Sequence, residues 1–164
     1  MYNLLPNSML MRVALCLVLS TFTVVQAQAD SRYRNVRYGF SFPEAKGMKS
    51  DRLPDNGDGI KLKNGKGFSI TAYGSNNVLT TTLLDEVNSQ SKTMDKVTYR
   101  AKGKNWYVLS GQKGSEVIYI KGFVGVGSIN TMILEYPKKD EKAYDLLVTQ
   151  LSRGFRPGDL HTAH

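Results

Sequence analysis

Apolar and polar residues follow three different patterns along this chain. Between Arg12 and Asp30 there is no charge, and Val13 to Val25 is almost wholly apolar. Beyond it the pattern becomes alternation. Phe68, Ile70 and Ala72 alternate with Ser69, Thr71 and Tyr73, a period of two that predicts a strand with one buried face. Near the C-terminus, Tyr144, Leu147, Val148 and Leu151 fall at i, i+3, i+4 and i+7, which predicts an amphipathic helix.

Other elements fill the space between. Tyr33 to Phe42 mixes aromatic and β-branched residues with Arg and Asn, predicting an edge strand that Pro43 ends. Pro54-Asp55-Asn56-Gly57-Asp58-Gly59 is a concentrated turn signal. Ile60 and Leu62 alternate with lysines, and Asn64-Gly65 is a strong hairpin dipeptide. Leu79, Leu83, Leu84 and Val87 share one side of a helix, with Asn77 or Thr80 as cap and Asp85 and Glu86 early in it. Four strand-like runs follow, at 97–100, 106–109, 117–121 and 129–136, joined by glycine-containing turns. Short connections make sequential strands antiparallel neighbours, so these four form a meander. Asp140 and Glu141 begin the second helix and Gly154 closes it. Residues from Pro157 to His164 are polar and read as a loose tail. The expected fold class is α+β, a central antiparallel sheet with helices packed on its faces.

The charge-free run has the length of a secretory signal core and falls short of the ~20 residues a membrane span needs. Arg12 precedes it, and Ala27-Gln28-Ala29 ends it with small residues where signal peptidase requires them. Cleavage is therefore expected between Ala29 and Asp30. This divides the chain into a signal at 1–29, one domain at 30–158 and a tail at 159–164. An uncleaved anchor is the alternative. Lipidation at Cys16 is disfavoured, because Leu15 is not small and Cys16 lies inside the apolar run. Translation starts at Met1, Met9 or Met11; the later starts give a signal of ordinary length.

Composition then narrows the chemistry. The only cysteine is Cys16, so the exported chain folds without disulfides and has no thiolate chemistry. The formal charge is +8, of which only Arg12 leaves with the signal. Such a field favours anionic partners, although the cations are scattered rather than massed.

Several motifs resemble a known family. Tyr38-Gly39-Phe40-Ser41-Phe42-Pro43 is similar to the opening of PsbP-like and Mog-type domains. Asn56-Gly57-Asp58-Gly59, Tyr119-Ile120-Lys121, Leu134-Glu135-Tyr136-Pro137 and Phe155-Arg156-Pro157-Gly158 resemble marks of a small exported bacterial domain. The resemblance spans residues 33–158 and implies a PsbP/Mog-like sandwich. It also implies binding of other macromolecules rather than catalysis. Fold analogy alone carries function poorly.

Candidate chemistry is sparse. His161 and His164 both lie in the tail, so no Ser-His-Asp triad or histidine-held zinc is available in the folded region. The loop bearing Asp55, Asn56 and Asp58 is a candidate binding loop. Its spacing does not fit an EF-hand, since Gly57 and Lys66 occupy ligand positions and Lys61, Lys63 and Lys66 repel a cation. Gly122 to Gly127 lacks the Walker lysine and reads as a bent strand or bulge. A carboxylate-dependent hydrolase of an envelope polymer, the alternative function, needs two acids facing each other, and Asp85, Glu116 and Glu135 are its possible members. Basic residues interleave with aromatics at Arg32-Tyr33-Arg34, Arg37-Tyr38, Tyr99-Arg100 and Lys104-Asn105-Trp106-Tyr107. Export counts against a nucleic-acid partner, so no nucleic acid is expected.

The function expected from the sequence is that of a non-catalytic periplasmic or secreted binding protein with no cofactor and no metal. Its partner would be an envelope protein or an anionic envelope polymer. It would be met through the sheet edge, the 55–59 loop or an exposed aromatic and basic face, and an accessory, inhibitor or toxin-immunity role would fit. The exported protein should begin at Asp30 by N-terminal sequencing. Ala29→Arg should leave the full-length precursor unprocessed; normal processing of that variant would place the cleavage site elsewhere.

Overall fold

The computed structural model describes residues 31–51 and 56–164. The proposed signal, with Ala29 and Asp30, lies outside the described residues, as does Asp55. The chain opens with β1 (Arg32–Arg34) and β2 (Ser41–Pro43), which pair with each other as a small antiparallel sheet. Then come β3 (Lys49–Ser50), β4 (Gly59–Lys63), β5 (Ser69–Asn76), α1 (Leu83–Ser91), β6 (Lys96–Lys102), β7 (Trp106–Lys113), β8 (Glu116–Val124), β9 (Ser128–Pro137) and α2 (Glu141–Gly154). Strands β3 to β9 form one sheet of seven strands in the order β3-β4-β5-β9-β8-β7-β6, antiparallel throughout. The four-strand meander runs from β6 to β9, as the alternation predicts. No helix among the described residues is long and apolar enough to cross a membrane.

The sheet has a core on each face. Even-numbered residues of β5 and β9 (Ile70, Ala72, Met132, Leu134, Tyr136) join Phe40 and Phe42 and the α2 residues Val148 and Leu151. On the opposite face, Tyr107 and Leu109 of β7, Ile118 and Ile120 of β8 and Ile129 of β9 pack with Leu83 and Val87 of α1. The two helices therefore sit on opposite sides of the sheet. Fully burying each Phe, Leu or Ile stabilises by ~1.5–3 kcal/mol. Gly122 belongs to the second core in its own way. It pairs in register with Tyr107 and Thr131, and a methyl group there would overlap the Tyr107 ring. Of the bent strand or bulge expected over Gly122 to Gly127, the pairing shows no bulge. Pairing is regular to Val124↔Ile129, and Gly125 to Gly127 make the turn.

Four other expectations need correction. The single edge strand from Tyr33 to Phe42 is a hairpin, β1 and β2, because the Asn35 side chain accepts from the Tyr38 N–H (2.6 Å) and folds the segment into a turn. The first helix starts at Leu83, not near Leu79. Thr82 caps it, accepting from the Asp85 N–H at 3.2 Å, while the Asp85 carboxylate accepts from the Thr82 N–H at 3.0 Å. Asn77 instead braces the preceding turn through Thr81 and Gly125, and Leu79 is 84% exposed. The segment read as a loose tail is packed: Leu160 is buried, its carbonyl accepts from the Gly127 N–H (2.9 Å), and the His164 ring meets the edge of Tyr38. Its anchor was hidden because Asn76, which bonds both the N–H and the carbonyl of His164, is far away in sequence.

Buried phenols give the fold a pH signature. Burial, with the nearby Glu141 and Asp145 charges, pushes the Tyr136 pKa up to about 12. An unfolded tyrosine titrates near ~10, so unfolding releases a proton above that pH. This contribution is complete below pH ~10 and is lost as pH rises towards about 12. Urea midpoints should therefore fall over that window, and Tyr136→Phe should flatten the fall. An unchanged slope in the variant would contradict this.

Candidate functional site

Among the described residues, the α2 side of the sheet is only half covered. The β1–β2 hairpin and α2 pack over β5 and β9. Strands β6, β7 and β8 extend beyond them. Register fixes what they present on that side. Tyr99 lies opposite Ser110, which lies opposite Tyr119. Ala101 lies opposite Val108 and then Lys121, and Trp106 lies opposite Phe123. These rows form a shallow trough of about 350 Å3 that ends at Ser152 on α2. Tyr99 is 57% exposed there.

The α2 end of the trough is held by polar contacts. The Tyr119 hydroxyl and the Ser152 Oγ lie 2.5 Å apart, and Lys121 Nζ donates to the Ser152 carbonyl at 2.7 Å. That carbonyl belongs to the last turn of α2, where a cation is favourable. Lys121 also lies 5.4 Å from the centre of the Phe123 ring. Burial lowers the lysine pKa, and the nearby Arg156 charge lowers it further. Burial raises the Tyr119 phenol. The trough thus combines flat aromatic surface with a partly desolvated cation, a pairing suited to stacking and anion contact. At its far end Trp106 lies over Gly103, where a methyl group would overlap the indole.

Sequence-based candidates fall in separate places. Asp58 forms an ion pair with Arg37 at 2.6 Å and accepts from the Asn56 amide at 2.6 Å. The Asn35 amide donates to the Gly57 carbonyl in the same loop. Asn56 and Asp58 are thus engaged with the hairpin and with each other. His161 is exposed, and His164 packs on Tyr38. Asp85 caps α1 beside the Val124 end of β8, whose other end is Glu116. Eight residue steps of strand separate those ends, ~26 Å at the usual rise. Asp85 therefore cannot converge with Glu116. Glu135 accepts from Ser69 in the row next to Glu116, with neither acid in the trough.

Sequence reasoning named Tyr99 and Trp106 but missed Tyr119, Lys121 and Phe123 as parts of one surface. Their i, i+2, i+4 spacing on β8 was the available signal. It also missed a polar cluster beneath α1. Tyr107 donates to Glu86 at 3.2 Å, and Tyr73 lies nearby. Burial raises both phenols, and the Glu86 charge adds to this. The buried Thr131 hydroxyl lies beside them and offsets part of the shift in both.

Comparison with known proteins places the fold. No protein-family model matches the chain, and no curated protein matches it by sequence. Among solved structures it is similar to the solution structure of cyanobacterial PsbP (CyanoP) from Synechocystis sp. PCC 6803, with a TM-score of 0.55 and 14% identity. The match covers 77% of this chain and 91% of that one. The PsbP-like architecture expected from the motifs is thus the observed fold.

Trp106 is the only tryptophan, so its emission reports on the trough alone. Gly103→Ala should displace the indole and red-shift its fluorescence while far-UV circular dichroism stays unchanged. An unshifted spectrum would mean that the ring is not seated on Gly103.

Proposed function

We propose that this chain is a non-catalytic binding or accessory protein that acts after export and recognises a protein or an anionic component of the cell envelope. One observation carries the reading. Among the described residues, half of one sheet face is left uncovered, and it presents Tyr99, Trp106, Tyr119 and Phe123 around Lys121. Aromatic residues of this kind dominate contact energies because they bring large area with few rotatable bonds. The PsbP-like fold supports a binding role, since such a sandwich needs only a stable surface. Against the hydrolase alternative, Asp85 stands apart from Glu116, and Glu116 and Glu135, in adjacent rows of the α1-side face, do not line the trough.

The experiment is comparative capture from envelope extract and binding to purified anionic wall polymer. The exported protein is set against a Tyr99→Ala, Trp106→Ala double variant of unchanged melting temperature. The double variant should lose binding by about tenfold or more, which corresponds to ~1.4 kcal/mol. Equal retention by both proteins would sink the trough as the binding surface.

A further inference from the structure

The sheet ends on β6, whose outer edge carries no strand among the described residues. Which of its backbone groups face outward follows from the ladder. The Gly103 N–H donates to the Trp106 carbonyl at 2.9 Å, so those two residues form a hydrogen-bonded pair. Opposed residues in an antiparallel ladder alternate between bonded and non-bonded pairs. Ala101↔Val108 and Tyr99↔Ser110 are then bonded, while Arg100↔Leu109 and Lys102↔Tyr107 are not. The N–H and carbonyl groups of Arg100 and Lys102 therefore point away from the sheet.

The two faces of this edge differ in character. Arg100 and Lys102 project towards α1, beside a groove of about 340 Å3 that also includes Leu84, Val87 and Asn88. Tyr99 and Ala101 project to the other side, at the rim of the aromatic trough. The strand carries Lys96, Arg100 and Lys102 and no acid. Its register shifts between Val97 and Tyr99, so the regular edge is the segment from Tyr99 to Lys102. Lysines and bulges on an edge oppose pairing with like strands. Two copies of this strand would set Arg100 and Lys102 against one another, and like charges directly opposite are destabilising. An acidic strand reverses that sign. A sugar polymer lacks the regular N–H and carbonyl spacing that the edge would engage.

We infer that β6 accepts an extended acidic segment of a partner protein as an eighth strand. Backbone bonds to Arg100 and Lys102 supply the pairing. The added segment alternates in character. Its Asp or Glu residues lie on the α1 side next to Arg100 and Lys102, and its aromatic or aliphatic residues lie on the other side next to Tyr99 and Ala101. This rests on the binding reading above and chooses a protein over a polymer as the partner.

The test uses fluorescein-labelled seven-residue peptides and the exported protein. One peptide alternates Glu with Val, its control alternates Lys with Val, and two further versions of the first are N-methylated on one or the other alternate set of backbone nitrogens. The Glu–Val peptide should bind and the Lys–Val peptide should not. Methylation of one set should abolish binding, and methylation of the other should leave it intact, because only one set can face β6. Arg100→Glu should weaken binding by about tenfold or more, through loss of a cross-strand charge pair and its replacement by repulsion. Arg100→Pro removes an outward N–H without breaking a bond to β7 and should do the same; if it fails to fold, Arg100→Glu decides. No binding of the Glu–Val peptide, or equal binding of both methylated versions, overturns the proposal. The Trp106→Ala variant, which alters the trough and leaves Tyr99 beside the edge, separates the two readings. Binding that ignores methylation but vanishes in this variant keeps the trough and overturns the edge. Methylation-sensitive binding that survives in it, with envelope capture also unchanged, keeps the edge and overturns the trough.

Discussion

The ladder between β5 and β9 joins two pieces of sheet that the chain builds separately. Strands β3 to β5 are made by one local stretch, and β6 to β9 by another. Only the pairing of Ser69–Asn76 with Ser128–Glu135 merges them. The ends of that connection are remote in sequence, so its closure entropy must be met by contacts that form together. Strand β9 supplies them. It is hydrogen-bonded on both edges, and its first five residues are all buried. Its even-numbered residues enter the α2-side core and its odd-numbered ones the α1-side core. Loss of this one strand would leave each half with an open edge and half a core.

That central position explains where the exposed surface lies. The β1–β2 hairpin and α2 both pack over the β5–β9 seam, where Phe40, Phe42 and Phe155 are completely buried. Phe155 contacts Phe40 on one side and Phe123 on the other, so it marks the border of the covered region. Beyond Phe123 the sheet continues to β6, and among the described residues only the last turn of α2 lies above it. The contacts of Ser152 with Tyr119 and Lys121 tie that turn to β8 and fix the trough's inner wall. Among the described residues, the covering elements are too short to reach the edge, and this leaves the aromatic face open.

The polar cluster beneath α1 works differently. Gly122 clears space for the Tyr107 ring, and Glu86 on α1 accepts from its hydroxyl. A buried phenol and a helix carboxylate thereby set the position of α1 along the sheet. This helix carries no fully buried residue of its own. Its capping box and this one polar contact supplement the partly buried Leu83 and Val87.

Much of the architecture could be read from local pattern. Alternation at Phe68–Tyr73 and in the runs from Val97 to Tyr136 specified strands because side chains repeat every two residues on one face. Spacing at Tyr144–Leu151 specified α2 for the corresponding helical reason, and short turns made the meander antiparallel. The start of α1 was misplaced because Asn77, Thr80 and Thr82 are all good caps, and only Asn77's contact with Gly125 assigns it to the turn. Packing of the C-terminal segment was invisible because its anchors, Asn76 and Tyr38, lie far upstream. The aromatic and basic residues were visible one by one in the sequence. Their assembly into a trough was decided by the register of β6, β7 and β8, and its exposure by how far α2 and the N-terminal hairpin extend. Local periodicity determines which face a residue takes, whereas only the packed whole determines which face remains uncovered.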